Sequence, residues 1–206
     1  MNNFWNKIIY KIWSPFYDKI FNSGVFLKAR KEIFKELTFN EDQHILFVGV
    51  GTGADLELID CSSVHITAID FSPDMLEKSK EKFKGTTIQF FEMDAQNMSF
   101  NDNSFDYVIG SLVLSVVPNP NICLHEMGRV VKNDGKIIVF DKFAPKNNKL
   151  SRTKKILRPI IKILGTDIGV EFEELYKDNS INLKLEEDKP IMLNGMYRKI
   201  VISKQV

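Results

Sequence analysis

The sequence predicts an α/β protein: a single doubly wound, mostly parallel, seven-stranded sheet with a C-terminal antiparallel hairpin and an N-terminal helical cap. Short strand-like runs alternate with helical segments between residues 44 and 140, an order that favours a parallel sheet with right-handed crossovers. The last two strand-like runs have no helix between them, which favours an antiparallel pair. A chain of 206 residues is also long enough to bury one continuous core.

The chain is predicted to divide at about residue 40. Residues 1–40 form the predicted helical cap, because apolar and aromatic residues recur there at helical spacing. Residues 41–206 form the predicted main domain, and residues 146–179 are expected to be a basic helical insertion in it.

The elements of the main domain can be predicted in order along the chain. Strands are expected at residues 44–48, 64–69, 86–91, 105–109 and 136–140, and helices at residues 53–59, from 73 and from 120 to 132. Ser72-Pro73 and Asn119-Pro120 each join a favoured N-cap residue to a proline that the first helical position tolerates. The hairpin strands are expected at residues 181–186 and 196–203, joined by a loop through Pro190 and Asn194-Gly195.

Composition excludes few function classes. Lys and Arg total 28 against 27 for Asp and Glu, so net charge does not indicate the partner. Cys61 and Cys123 have no disulfide or zinc spacing, so we predict no metal site and expect a reducing compartment. Lys7 and Lys11 interrupt the first apolar run, unlike in a signal peptide. The longest apolar run is far shorter than the roughly 20 residues of a spanning helix, and we expect a cytoplasmic protein.

The chemical signal lies after the first predicted strand. That strand leads directly into Gly49, Gly51 and Gly53, and glycine lets a chain turn tightly while a ligand approaches its backbone. The helix expected next would add unpaired N–H groups and a positive dipole end. Asp70 ends the second strand, where a carboxylate can accept hydrogen bonds from ribose hydroxyls. The combination predicts a nucleoside cofactor.

Four motifs indicate which cofactor this is. Residues 49–54 satisfy the dinucleotide fingerprint G-x-G-x-x-A, which leaves an NAD-dependent oxidoreductase open. However, the segments VGVGTG, AIDFSPDMLEKSK, FFEMDAQNMSFNDNSFDYVIGS and HEMGRVVKNDGKIIVFD together resemble the class I S-adenosylmethionine-dependent methyltransferases, which have a Rossmann-like fold. The resemblance spans about residues 45–141 and implies S-adenosylmethionine as cofactor. A non-catalytic module that binds the cofactor is a third alternative.

The resemblance implies roles for single residues. Gly49, Gly51 and Gly53 would run beside the methionine moiety, and Asp70 would hold the ribose. The other implied contacts are Phe71 or Met75 on the adenine, Asp94 with Ala95 at its amino group, and Ser111 at the methyl-donor pocket.

One position departs from the family pattern. The family usually has an acidic residue two positions before the first glycine, where it orients the amino group of the cofactor, and this chain has Phe47 there. Backbone carbonyls or Asp55 are the candidate substitutes. No catalytic residue is predicted.

Two segments outside the cofactor core bear on the acceptor. Residues 1–21 hold seven aromatic residues with lysines among them, and Lys146 to Lys162 contains seven Lys or Arg and no acid. Basic residues beside apolar ones are typical of interfacial helices on anionic lipid, although a cap over the cofactor explains the same pattern. We therefore expect a peripheral association with the inner face of the membrane as one alternative.

The flanking segments narrow the acceptor class. WSPFYDKIF, ILGTDIGVEFEEL and NGMYRKIVI resemble bacterial phospholipid N-methyltransferases, which methylate phosphatidylethanolamine, while quinone-biosynthesis C-methyltransferases share the core pattern. The resemblance thus implies N-methylation of a phospholipid amine, with C-methylation of a quinone precursor as the alternative. Nucleic acid is not expected, because the fourth strand leads into Gly110-Ser111-Leu112-Val113 and not into a D/N-P-P-Y/F run.

Overall fold

The computed structural model describes residues 22–144, 169–179 and 181–205. The helices are α1 (Gly24–Lys35), α2 (Pro73–Lys82), α3 (Pro120–Val130) and α4 (Phe172–Asn179), with a short 3₁₀ helix at Leu56–Leu58. The strands are β1 (His44–Val48), β2 (His65–Asp70), β3 (Gln89–Glu92), β4 (Phe105–Ser111), β5 (Val131–Lys142), β6 (Leu183–Met192) and β7 (Tyr197–Lys204).

The strands form one seven-stranded sheet in the order β3-β2-β1-β4-β5-β7-β6. β1 to β5 run parallel to one another, and β7 is antiparallel to both β5 and β6. The predicted fold class is therefore confirmed. The chain order reverses between β1 and β4, so the crevice at the carboxyl ends of these strands is where a sheet of this kind binds ligands.

Hydrophobic clusters cover both faces of the sheet. On one face, Ile33 and Phe34 of α1 pack with Phe47 of β1, and all three are at most 4% exposed. On the other face, Leu124 and Met127 of α3 are fully buried against the central strands. The helices thereby hold the ends of β1 and β4 in fixed positions.

Both predicted helix starts are confirmed. The hydroxyl of Ser72 accepts a hydrogen bond from the backbone N–H of Met75 at the start of α2. The side-chain oxygen of Asn119 accepts from the N–H groups of Asn121 and Ile122 at the start of α3. Each cap satisfies N–H groups that have no partner inside the helix.

The helix predicted at residues 53–59 is wrong. The structure has a single 3₁₀ turn at Leu56–Leu58. Gly53 has a φ of +80°, outside the helical region, and Ile59 is already extended. The side chain of Asp55 forms no cap for this turn and instead pairs with Arg30. The segment after the glycines therefore provides no α-helix dipole at the cofactor site.

The largest differences from the predicted strand boundaries are in β3, β5 and β6. β3 begins later, at Gln89, and β6 continues to Met192, so that Pro190 lies in a strand and not in the predicted loop. A proline is tolerated there because β6 is an edge strand, and the pairing with β7 shifts between Pro190 and Met192. β5 begins at Val131, before the predicted start at residue 136, and its pairing with β4 skips residues 132–135.

Some predictions fall outside the described residues. Residues 1–21 of the predicted cap and residues 146–168 of the predicted basic insertion are among them, so the predicted domain division stays a prediction. Within the part of the chain that the structure describes, no helix is long and apolar enough to cross a membrane.

Candidate cofactor site

The predicted glycines form a tight loop that leads off the carboxyl end of β1. The backbone N–H groups of Gly49 and Val50 both donate to the carbonyl of Ile69 in β2, at 2.9 and 3.0 Å. The φ angles of Gly49, Gly51 and Gly53 are +69°, +57° and +80°. Residues with a side chain rarely adopt such angles, so the loop depends on glycine.

The two sides of this loop have different surroundings. A Cβ added to Gly49 would lie 3.0 Å from the side chain of Val113, so the loop packs closely on the segment after β4. A Cβ added to Gly51 would meet no atom of the described residues within 4 Å. The open side of Gly51 therefore leaves room for a ligand against the backbone.

Asp70 ends β2 beside this loop, as predicted. Its two carboxylate oxygens accept hydrogen bonds from the backbone N–H groups of Gly51, at 2.7 Å, and of Ser72, at 2.8 Å. Burial raises the pKa of the Asp70 carboxyl, and the N–H donors oppose that rise. Asp70 as a residue is partly exposed, and the two backbone N–H groups hold its carboxylate in a fixed orientation.

The residues implied for the adenine follow β2 and β3 or lie in the first turn of α2. Asp94 follows β3, and its Oδ1 accepts from both the backbone and the side-chain nitrogen of Gln96, at 2.9 and 3.0 Å. Phe71 is half-buried, whereas Met75 is only 2% exposed. Phe71 is thus the better placed of the two to offer ring surface to a base.

Ser111 ends β4 next to an unusual turn. Leu112 follows with a φ of +57° and donates its N–H to the carbonyl of Phe140 in β5, at 2.7 Å. The N–H of Ser115 donates to the carboxylate of Asp141, which is fully buried. Burial raises the pKa of the Asp141 carboxyl. A left-handed backbone conformation is strained for leucine, and backbone strain of this kind is concentrated at functional sites.

The carboxyl edge thus brings together the predicted cofactor residues, although the side chains of Met75 and Ala95 are buried. Gln96, Leu112 and Asp141 were missed, because their importance comes from contacts with distant segments. Arg30 was also missed; it lies beside Asp55 and is 3% exposed. A signal for Arg30 existed, since it occupies a position on the apolar stripe of α1.

Comparison with known proteins agrees with this geometry. A family model described as a methyltransferase domain matches residues 46–139. A phosphatidylethanolamine N-methyltransferase of Cereibacter sphaeroides is 32% identical, over 74% of this chain and 76% of its own. A demethylmenaquinone methyltransferase of Listeria welshimeri is 30% identical, over 85% of this chain and 76% of its own.

A solved structure has the same fold. The phospholethanolamine N-methyltransferase 2 of Haemonchus contortus, in complex with phosphomonomethylethanolamine and S-adenosylhomocysteine, superposes with a TM-score of 0.72. It is 16% identical, and the match covers 92% of this chain and 56% of that one.

The fold and the glycine–aspartate edge define a Rossmann-like protein of the methyltransferase type. The chain belongs to the class I S-adenosylmethionine-dependent methyltransferases. This membership decides for the predicted methyltransferase over the NAD-dependent oxidoreductase.

Proposed function

We propose that the protein transfers a methyl group from S-adenosylmethionine to the amine of a phospholipid headgroup. The cofactor supplies a methyl group on a positively charged sulfur. Gly49, Gly51 and Gly53 hold its methionine moiety, and Asp70 accepts hydrogen bonds from its ribose. The open side of Gly51 and the oriented carboxylate of Asp70 support this assignment.

The remaining cofactor contacts follow the same edge of the sheet. Phe71 packs on the adenine, Asp94 accepts from its amino group beside Ala95, and Ser111 lines the methyl-donor pocket. The support is positional, because these residues follow the ends of β2, β3 and β4. Holding the acceptor and the methyl group in line supplies much of the rate enhancement in such a reaction.

The similarity to a phosphatidylethanolamine N-methyltransferase over about three quarters of both chains carries the choice of a phospholipid amine. Amine methylation requires the neutral amine, whose lone pair attacks the methyl carbon while the sulfonium leaves as a thioether. The ammonium form has no lone pair, so the acceptor must lose a proton before transfer.

Exposed apolar side chains at the same edge support a lipid acceptor. Val25, at the start of α1, is 63% exposed, and Leu193, in the turn between β6 and β7, is 60% exposed. Tyr197 pairs with Lys142, the last residue of β5, and its ring contacts that of Phe26 with 5.4 Å between centroids. Val25 and Leu193 are close in sequence to these two rings and therefore lie near the carboxyl end of β5. A bilayer surface would cover them.

Basic residues lie on the helix that begins at this edge. The exposed side of α1 carries Lys28, Lys31 and Lys35 beside the acidic Glu32, and Lys28 is the nearest of the three lysines to the start of the helix. Each lysine near an anionic bilayer contributes about 1 kcal/mol of attraction. The basic segment Lys146 to Lys162 and the aromatic N-terminal segment are further parts of the proposed membrane contact, and both lie outside the described residues.

A quinone precursor is the second candidate acceptor. Demethylmenaquinone methyltransferases are 30% identical over 85% of this chain, a longer match than that to the phospholipid enzyme. Such an acceptor is also amphipathic, and its carbon would be methylated in place of a nitrogen.

The acceptor is tested by supplying both lipids in one assay. The enzyme is incubated with methyl-labelled S-adenosylmethionine and vesicles that contain phosphatidylethanolamine, phosphatidylglycerol and demethylmenaquinone, and the extracted lipids are separated by thin-layer chromatography. Label in monomethyl-phosphatidylethanolamine is the expected result. Label in the quinone alone would replace the proposal with the second candidate.

Membrane contact is tested with the double variant Val25→Asp, Leu193→Asp. Co-sedimentation with the same vesicles is expected to fall, while S-adenosylhomocysteine affinity stays unchanged because neither residue lies at the glycine loop. The matched control is Ile181→Asp, which changes an exposed apolar residue outside this surface. Equal sedimentation of the double variant and the wild type would refute the proposed contact.

A further inference from the structure

Arg30 and Asp55 form an almost completely buried ion pair beside the glycine loop. The Nε of Arg30 lies 3.4 Å from Oδ1 of Asp55, and the side chains are 4% and 11% exposed. Neither of these two atoms has a hydrogen-bond partner among the described residues. Buried polar atoms in native proteins are almost always hydrogen-bonded, and a buried pair without such bonds hardly offsets its desolvation. The pair therefore requires an explanation other than stability.

The guanidinium of Arg30 contacts the residue that precedes the N-cap of α1. Its Nη1 donates to the side-chain oxygen of Asn22 at 3.0 Å, and Asn22 precedes the start of α1. The start of α1 is the end that approaches Tyr197 and the carboxyl end of β5. Asp55 follows the glycine loop directly, after Ala54. The two charges thus flank the point at which the loop leaves the crevice.

The end of β1 carries no charged side chain beside the glycine loop, because position 47 is a phenylalanine. Phe47 is 2% exposed and stacks on Phe34 of α1, with 6.4 Å between ring centroids. Arg30 and Phe34 are four residues apart in the helix and share one face. Arg30 therefore lies one helical turn before Phe34, towards the start of α1.

We propose that Arg30 and Asp55 bind the amino-acid end of the cofactor, and that they do so in place of an acidic residue at position 47. The guanidinium of Arg30 pairs with the carboxylate of the methionine moiety, and the carboxylate of Asp55 accepts from its ammonium. The four charges alternate in sign and sum to zero, so the buried site carries no net charge. This inference rests on the proposed cofactor site.

Two nucleosides, one with and one without the amino-acid group, distinguish binding of that group from a purely structural role of Arg30 and Asp55. S-adenosylhomocysteine carries the amino-acid group, and 5′-methylthioadenosine shares the adenosine and the thioether but lacks that group. A residue that binds the amino-acid end affects the first ligand alone. A residue that merely joins α1 to the loop affects both ligands equally.

The experiment measures the affinity of both nucleosides by calorimetry for the wild type, Arg30→Met, Arg30→Lys and Asp55→Asn. Arg30→Met and Asp55→Asn are expected to weaken S-adenosylhomocysteine binding roughly 10- to 100-fold, the range for a hydrogen bond to a charged group. Arg30→Lys keeps the charge but loses the planar fork, and a smaller loss is expected. The affinity for methylthioadenosine should remain within about threefold of the wild type.

Arg198→Met is the matched control. Arg198 is equally buried and ion-paired, with a side chain that is 4% exposed, but it contacts Asp188 and Glu173 instead of the loop. This variant should show no selective loss of S-adenosylhomocysteine. Binding of methylthioadenosine also reports that each variant is folded, and Arg30→Lys and Asp55→Asn decide the matter if Arg30→Met does not fold.

The outcomes are distinct. An equal loss of both nucleosides, or no loss of either, would overturn the role of Arg30 and Asp55 while leaving the cofactor site intact. A wild-type protein that binds neither nucleoside would overturn the proposed cofactor site, and this inference with it.

Discussion

The backbone N–H of Gly51 donates a 2.7 Å hydrogen bond to Oδ2 of Asp70. This bond joins the turn after β1 to the end of β2, so the loop and the carboxylate hold each other in position. A site whose parts are already oriented loses less entropy when a ligand binds.

Asp70→Asn is therefore expected to weaken S-adenosylhomocysteine binding roughly 10- to 100-fold. An asparagine has one acceptor oxygen, so its NH₂ group would face one of the two N–H donors that Asp70 now accepts from. Calorimetry measures the loss. Asp74→Asn, at an exposed position in the first turn of α2, is the control and should bind like the wild type. Similar affinities for both variants would contradict the role of Asp70.

Gly53→Ala is expected to lower the free energy of unfolding by about 1 to 3 kcal/mol more than Gly85→Ala. Both glycines have left-handed φ angles, +80° and +88°, so both variants carry the backbone strain. A Cβ on Gly53 would also lie 2.6 Å from the ring of Phe83 and 2.7 Å from Oγ of Ser79, whereas Gly85 has open space. Urea unfolding of both variants measures the additional cost of the contacts at Gly53. Equal losses of unfolding free energy would show that Ser79 and Phe83 move to make room for the methyl group.

Phe47→Glu restores the acidic residue of the family pattern and is expected to destabilise the protein. The variant loses a buried ring, at a cost of about 3 to 5 kcal/mol for complete truncation, and it places a charge against Phe34 in the core. Phe47→Leu is the control and should cost less than about 1.5 kcal/mol. Thermal or urea unfolding checks both, and a stable Phe47→Glu protein with tighter cofactor binding would contradict this account.

Asp141 is expected to make stability depend on pH. Burial raises the pKa of this carboxyl in the folded protein above its ordinary value of about 3.8, so the folded state holds the proton more tightly than the unfolded chain. The resulting contribution is complete below the ordinary pKa and is lost as pH rises through the raised one.

Asp141→Asn should therefore flatten the decline of the unfolding free energy with rising pH above about pH 4. Asp70, whose pKa is also raised, keeps part of the decline in both proteins. Urea unfolding at a series of pH values measures the slopes. Asp134→Asn, at an exposed position of the same strand, is the control, and identical slopes for Asp141→Asn and the wild type would disprove the assignment.

Local chemistry made part of this molecule predictable. Ser72-Pro73 and Asn119-Pro120 determine the starts of their helices through bonds to residues two or three positions away. The glycines after β1 were equally readable, since the need for positive φ angles belongs to the residue type.

Long-range contacts determined the rest. The segment after Gly53 contains residues that suit a helix, yet Asp55 pairs with Arg30 from a distant helix and the segment forms one 3₁₀ turn. The turn at Leu112 depends on a hydrogen bond to the carbonyl of Phe140, which is far away in the sequence and close only in the folded sheet. The position of Arg30 on the apolar stripe of α1 is visible in the sequence, but its contact with Asp55 and that of Leu112 with Phe140 form only when the chain folds.

β6, one of the two edge strands of the sheet, has a further consequence for the protein in solution. Residues 186–189 are all charged, and Pro190 follows with no N–H to offer. A strand from a neighbouring molecule would meet these charged residues and a row of N–H donors that Pro190 interrupts. We therefore expect this edge of the sheet to resist the addition of a strand from a second molecule.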